Sequence, residues 1–374
     1  MSRKIFLIIV IILILIIGGA LLYLFISPEN ILEPSLSPSP LIPVSDTTPT
    51  TTNVPAGVPE VAKVTQVIEN QVLGFALTGN AMIYYDKDLG AFFKMNQRGL
   101  TPESYSTSHF SNVEEIIWSP DKSEAIMVFT SGDYYYFNIA SSKSEKLMPN
   151  IDKLSWLPDG KKIVFEWRER ENESSLIISE PNGDDWEKIK DLGYARIILT
   201  VSPELGGPVV YLQNYSYGAG RSIYPVYEDG SAGEVVNIEG YGEKAEWSRD
   251  GRRILFEAVD SEDFEQYLWV IDVTGTNQYN LGVKGFVEKC VWNKTNEKLF
   301  CAVPSEALEF GALVSDESID NFWEINTKTG EKSKLYDESE SDTKFDAHNL
   351  WLNSNEDRLY FADEAGGVYI LRID

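Results

Sequence analysis

The stretches "LSWLPDGKKIVF" at residues 154–165 and "AEWSRDGRRILF" at 245–256 are nearly the same twelve letters written twice. In the first, Leu154 and Trp156 alternate with polar neighbours, as on a half-buried strand. Pro158 fixes a backbone angle, Asp159 offers a turn-capping carboxylate, and Gly160 tolerates the left-handed backbone of a tight turn. Ile163 to Phe165 begin a second strand. The unit is strand, turn, strand.

The same template fits "IIWSPDKSEAIMVF" around Trp118, "LTVSPELGGPVVYL" around Val201, "CVWNKTNEKLFC" around Trp292 and "NLWLNSNEDRLYF" around Trp351. A weaker copy, "LGFALTGNAMIYY", places Phe75 in the tryptophan slot. The slots Phe75, Trp118, Trp156, Val201, Trp247, Trp292 and Trp351 are separated by 43, 38, 45, 46, 45 and 59 residues. Five of the nine Trp share that slot, which marks it as a blade-core packing position. After the hairpin a third strand-like run and a turn to a fourth recur, as in "YYYFNIASSKSEKLM" (134–148) and "YLWVIDVTGTNQYNL" (267–281). Seven four-stranded repeats of about 45 residues predict an all-β, seven-bladed β-propeller over 61–374. Two stacked β-sandwiches would need neither the constant period nor one aromatic slot per period.

"WSPDK", "WLPDGKK" and "WSRDGRR" resemble the WD40-like Pro-Asp (PD40) repeats of TolB-type propellers and of the propellers attached to prolyl oligopeptidases. The resemblance spans 61–374 and is loosest at Val201, where Glu204 replaces the Asp, and at Trp292, where "NKTNE" has neither Pro nor Gly. It implies an interaction protein of the cell envelope as a class and transfers no site residue.

The seventh repeat ends in "GGVYILRID", its third strand, and "VTQVIEN" (64–70) precedes the first hairpin without a blade of its own. The two are expected to pair, so that an N-terminal strand closes the last blade.

Ahead of the repeats, residues 5–26, "IFLIIVIILILIIGGALLYLFI", carry no charge and no Pro. As a helix they rise about 33 Å, enough for a hydrocarbon core of roughly 30 Å. The reading is an uncleaved single-pass anchor in the cytoplasmic (inner) membrane rather than a signal peptide, whose apolar region is shorter. Arg3 and Lys4 in residues 1–4 put the N-terminus in the cytoplasm and the rest outside. Residues 27–60 hold eight of seventeen Pro and a Ser/Thr-rich middle, the composition of an extended linker.

A net charge of -26 repels nucleic acid and excludes it as a partner. No G-x-S-x-G occurs, and His109 and His348 lack zinc-site spacing. "PNGDDWE" (181–187) and "VDSEDFEQ" (259–266) do not fit a calcium loop. No catalytic residue, cofactor or metal ligand is nominated. If Trp292 stands opposite Leu299, Cys290 stands opposite Cys301. That pair is either a disulfide, which an oxidising setting permits, or two small core residues; the disulfide is the expectation. Asn172, Asn214 and Asn293 begin N-x-S/T triplets, a pattern frequent by chance. The long connections at 304–320 and 337–342 are places for specific contacts.

The expectation for function is a membrane-anchored, non-enzymatic module that binds a protein or peptide at one face or at the central opening. The alternative is an envelope enzyme acting on glycan or peptide through carboxylates 5–10 Å apart in the channel.

Overall fold

The computed structural model describes residues 63–373 apart from 97–100, 171–172, 194–195, 215–220, 235, 239–243, 261–264, 307–317 and 341–342. The chain divides into two units, Met1–Glu60 and Val61–Asp374. The apolar run, the linker, Asn172 and most of the 304–320 insertion lie outside the described residues. No described helix is long and apolar enough to cross a membrane.

The described residues of the second unit form seven antiparallel four-stranded sheets. Six are runs of consecutive strands, starting at Val72, Val113, Ile151, Arg196, Ala245 and Cys290. The seventh begins at Ala347–Leu352, continues through Arg358–Asp363 and Val368–Arg372, and takes Val64–Ile68 as its outermost strand. Val64 pairs with Leu371 and Thr65 with Ile370. The expected closure of the last blade by the N-terminal strand is therefore present.

Apolar burial is divided seven ways. Each hydrophobic cluster lies between two consecutive blades, including one between the seventh and the first. A blade is apolar on both faces because it is sandwiched between neighbours. In blade 2, Ala125 and Met127 face blade 1 while Ile126 faces blade 3. Strand alternation thus serves two cores in place of one core and solvent.

The first strand of each blade is innermost. In blades 2 to 7 its turn to the second strand is built the same way: the N–H after the slot residue bonds a carbonyl across the turn, as from Ser119, Leu157, Ser202, Ser248, Asn293 and Asn353; blade 1 makes a two-residue turn between Thr78 and Ala81. In blades 2 and 5, Ser119 and Ser248 donate to Asp121 and Asp250 and accept from the backbone of Glu124 and Arg253. In blades 6 and 7, Asn293 and Asn353 do the accepting, each from two backbone N–H groups. The loss of Ser-Pro-Asp letters in the later repeats is thus a change of capping residue within one turn.

That equivalence corrects the seventh slot. Trp118, Trp156, Trp247 and Trp292 each pair with the residue seven further on. In blade 7 it is Leu352 that pairs with Leu359, while Trp351 pairs with Tyr360. Leu352 joins the cluster shared with blade 6, and Trp351 packs toward blade 1. A one-residue offset turns a side chain to the other face of its strand. Val201 also departs from expectation: its strand ends at Ile198, and the longer "SPELGG" turn leaves Val201 outside it.

Candidate binding site at the channel mouth

An innermost strand has a sheet partner on one edge only, so its other edge turns unpaired backbone groups toward the axis. Tryptophan side chains satisfy several of them. Trp156 Nε1 donates to Ile117 O at 3.0 Å and Trp247 Nε1 to Thr200 O at 3.1 Å. Trp118 Nε1 bonds Gly74 O in the same way. All three acceptors sit one residue before the slot of the preceding blade. The slot is thus both a packing position and a stitch between blades. Lys153 Nζ to Ile197 O, 3.0 Å, and Asn349 Nδ2 to Phe75 O, 3.0 Å, make further stitches. In blade 6 the indole N–H of Trp292 is buried without a hydrogen-bond partner. The Arg253 guanidinium lies 5.3 Å from that ring.

At the end of the channel where the first turns project, a cavity of about 480 Å³ opens. Leu77 from blade 1, Glu246 and Arg249 from blade 5, Lys294 from blade 6 and Trp351 and Leu352 from blade 7 line it. Blades 1 and 5 are not neighbours and meet only at the axis, so this is the mouth of the central channel. Its volume falls in the range of small-ligand pockets.

Three turns at this mouth carry a side chain where other blades carry glycine. Gly160 and Gly251 have φ of 71° and 65°; Lys122, Asn296 and Glu356 occupy the same turn position at 66°, 57° and 60°. A residue with a Cβ pays for that conformation by roughly 1–2 kcal/mol. Each of the three uses its side chain across a gap between blades. Asn296 Oδ1 accepts from the Arg249 N–H at 2.8 Å, and Glu356 accepts from the Lys294 N–H at 2.5 Å. Lys122, in blade 2, holds its ammonium 5.6 Å from the Trp351 ring of blade 7, spanning the mouth past blade 1.

Glu246 is the carboxylate among the described lining residues. Burial pushes it up to about 8, against a smaller pull downward from Arg249, so it holds its proton at neutral pH. Burial also lowers the Lys122 ammonium. Farther along the channel, Glu115 of blade 2 is water-exposed, yet its carboxyl is raised, chiefly by burial. A side chain in a wetted channel walled by protein has both properties. Lys244, from blade 5, pulls the same carboxyl downward from across the axis.

Of the other sequence-singled residues, Cys290 and Cys301 pair in register and are bonded through their sulfurs. Cys290 lies on the cavity wall. His348 is on the innermost strand of blade 7, its Nδ1 3.7 Å from Glu364, with burial holding it below its ordinary value. His109 is at the end of the outermost strand of blade 1, exposed. Asn293 is buried, and its side chain is occupied by its turn. Phe75 is buried, packed between blades 7 and 1. The mouth cations Lys122, Arg249 and Lys294 escaped sequence reading because each looks like an ordinary charged turn residue. The signal available was Lys122 standing in a slot that the sister repeats fill with Gly.

No family model matches the chain, and no curated protein matches it in sequence. Among solved structures, it is similar to oligogalacturonate lyase from Vibrio parahaemolyticus, with a TM-score of 0.59 and 14% identity over 83% of this chain and 93% of that one. It is also similar to the Cps50 (Swd1) β-propeller domain of Myceliophteria thermophila, at 0.57 and 9% over 83% and 100%. TolB from Acinetobacter baumannii matches at 0.45 and 14% over 70% and 65%, too loosely to support an argument. At such identities the likeness is one of fold.

Proposed function

We propose that the protein is a binding module of the cell envelope, tethered by residues 5–26 and 27–60 and recognising a protein or peptide segment at the mouth of its propeller channel. The observation that carries this reading is the mouth cavity, about 480 Å³, walled by side chains from blades 1, 5, 6 and 7. Leu77 and Trp351, both partly exposed on its wall, and the strand edges give an extended segment an apolar seat and backbone partners. The TolB-type repeat resemblance agrees with it as a class.

A second reading, an enzyme acting on glycan or peptide, is favoured by one observation. A carboxyl held protonated near neutrality, as Glu246 is, suits a general acid. Cleavage of a glycosidic bond calls for a second carboxyl roughly 5–10 Å away. Among the described lining residues the mouth supplies Glu246 alone.

The test is site-specific photocrosslinking in envelopes expressing the full chain, with the crosslinker at Ser354, an exposed residue of the mouth, or at Trp186, a surface residue of blade 3. A discrete protein adduct from Ser354 and none from Trp186 supports the binding reading. Turnover of an envelope glycan that Glu246→Gln abolishes replaces it with the enzymatic one.

A further inference from the structure

We infer that the cleft between blades 2 and 3 binds a neutral, β-linked glycan, stacking a sugar ring on Trp186 beside Trp167 and holding neighbouring hydroxyls on Glu124, Glu145 and Asn182. The site stands apart from the channel mouth and gives the module a second kind of ligand.

The turn 180–186, between the third and outermost strands of blade 3, carries both halves of the site. At its end Trp186 is 54% exposed, the most exposed Trp, Tyr or Phe among the described residues. Its ring lies 6.5 Å from that of Trp167, tilted by 47°. Trp167 packs against the core shared by blades 2 and 3, and its indole N–H donates to Pro149 O, in the connection from blade 2, at 3.1 Å. The exposed ring therefore stands beside a fixed one.

Four residues earlier in the same turn, Asn182 enters a groove of about 570 Å³ walled by blade 2 on one side and by the turns of blade 3 on the other. Its Nδ2 donates across the groove to Glu145 Oε2 of blade 2 at 3.3 Å. On the blade 2 wall, Glu124 Oε1 accepts from Tyr136 Oη at 2.5 Å and from Asn138 Nδ2 at 2.8 Å. One oxygen of each carboxylate is thus held, and the other has no hydrogen bond among the described residues. A carboxylate oriented in this way is a ready acceptor for a hydroxyl. Four residues span at most about 14 Å of chain, so a short run of sugar units reaches from the groove to Trp186.

The chemistry of the cleft selects the ligand. On one face of a sugar ring the C–H groups are slightly positive and lie well against the negative face of an indole, while the hydroxyls at the rim give and take hydrogen bonds. A β-linked chain is flat and keeps such faces open along its length. A peptide would instead need aliphatic seats or a free strand edge. The groove has no Leu, Ile or Val on its wall, and the outermost strand of blade 2, Lys143–Lys146, is an edge guarded by an exposed Lys at each end. Glu124, Glu145 and Glu180 outnumber Lys143 and Lys161 around the groove, which disfavours an anionic chain. Among the described residues no three His, Cys, Asp or Glu are placed to hold a metal ion, so these carboxylates do not form a cation site.

The experiment is isothermal titration calorimetry on the full chain in zwitterionic micelles, which carry no sugar headgroup. The probes are cellohexaose, chitohexaose and a hexapeptide alternating leucine with glutamine. At least one hexaose is expected to bind with a Kd at or below about 1 mM, and the two arms tell a plain chain from an N-acetylated one. Trp186→Ala should weaken that binding at least about tenfold and Glu145→Ala at least about threefold. Tyr279→Ala, which removes an exposed ring of blade 5, should change nothing. An unchanged Tm for each variant shows that the fold is intact. No binding of either hexaose at about 10 mM would overturn the proposal, as would hexaose binding that Trp186→Ala leaves untouched. Peptide binding lost in Trp186→Ala, with neither hexaose bound, would make the cleft a peptide site and overturn the glycan assignment. The mouth reading is judged separately, by the Ser354 adduct.

Discussion

Lys289 is the charge whose removal the fold should feel most. It sits in the short 3-10 turn Val287–Lys289 ahead of the innermost strand of blade 6 and is 1% exposed. Its ammonium donates to Asp346 at 2.6 Å, Ser318 at 2.8 Å and Asp320 at 2.9 Å. Asp320 is fully buried, also accepts the Ala347 N–H, and has its carboxyl raised by burial in spite of Lys289. Because Asp346 and Ala347 lead into blade 7, the cluster joins the last two blades. Lys289→Met keeps the volume and leaves two carboxylates facing each other without a cation. Asp320 must then stay charged and unpaired or take a proton. From an ordinary value of 3.8, holding a proton at pH 7 costs about 4 kcal/mol at 1.36 kcal/mol per unit. That agrees with the roughly 3–5 kcal/mol expected for removing one partner of a buried ion pair. For a unit of about 310 residues, unfolding entropy near 0.65 kcal/mol/K converts this to a fall in Tm of about 6 °C. The sign with pH follows from the proton. In the variant the folded Asp320 binds it more tightly than the unfolded chain does, so the penalty shrinks as pH falls from 7 toward 4. Calorimetry at pH 7 and pH 5 reads both effects, and Lys289→Met with Asp320→Asn should regain most of the loss. A drop below about 2 °C at pH 7, or the same drop at both pH values, refutes the account of a buried charge left unpaired.

Glu246→Gln removes a carboxyl whose folded value, about 8, stands above its ordinary 4.5; the parent therefore loses stability as pH rises from 4.5 to 8. The variant's advantage in Tm should grow across that window and flatten above it, as a pH series of melts would show. Trp156→Phe leaves the Ile117 carbonyl without its 3.0 Å donor and should cost about 1–3 kcal/mol in denaturant unfolding. Trp351→Phe should cost less, because that indole bonds Asn349 within its own strand at 3.1 Å. Thr65→Cys with Ile370→Cys should crosslink on oxidation, whereas Thr65→Cys with Tyr369→Cys should not, since adjacent residues of a strand point to opposite faces; gel mobility after mild oxidation distinguishes them.

The architecture could be read from the chain because the turn demands particular residues: a left-handed position at Gly160 or Gly251 and a capping side chain near it recur at a fixed interval. The tie between Val64–Ile68 and the last blade was legible because one repeat lacked a strand and one strand lacked a repeat. The seventh slot was misread by one position, since an aromatic at 351 beside a leucine at 352 does not say which face each takes; the register with Leu359 decides it. The mouth was not legible at all. Leu77, Arg249 and Leu352 lie far apart in sequence and come together because the sheets curl into a ring. The Lys289 cluster was hidden for the same reason, its partners being 29, 31 and 57 residues away.

Val64 and Leu371, its partner across the outermost pair of strands, lie in the first and the last strand of the ring. On a ribosome adding about 5–20 residues per second, the earlier strand waits roughly 15–60 s before its partner exists. Over that interval six blades can assemble in order of synthesis, but the circle stays open, and the waiting strand is a bare edge able to recruit a foreign one. Nascent chains of this protein should thus depend on something to shield that edge until the final residues emerge.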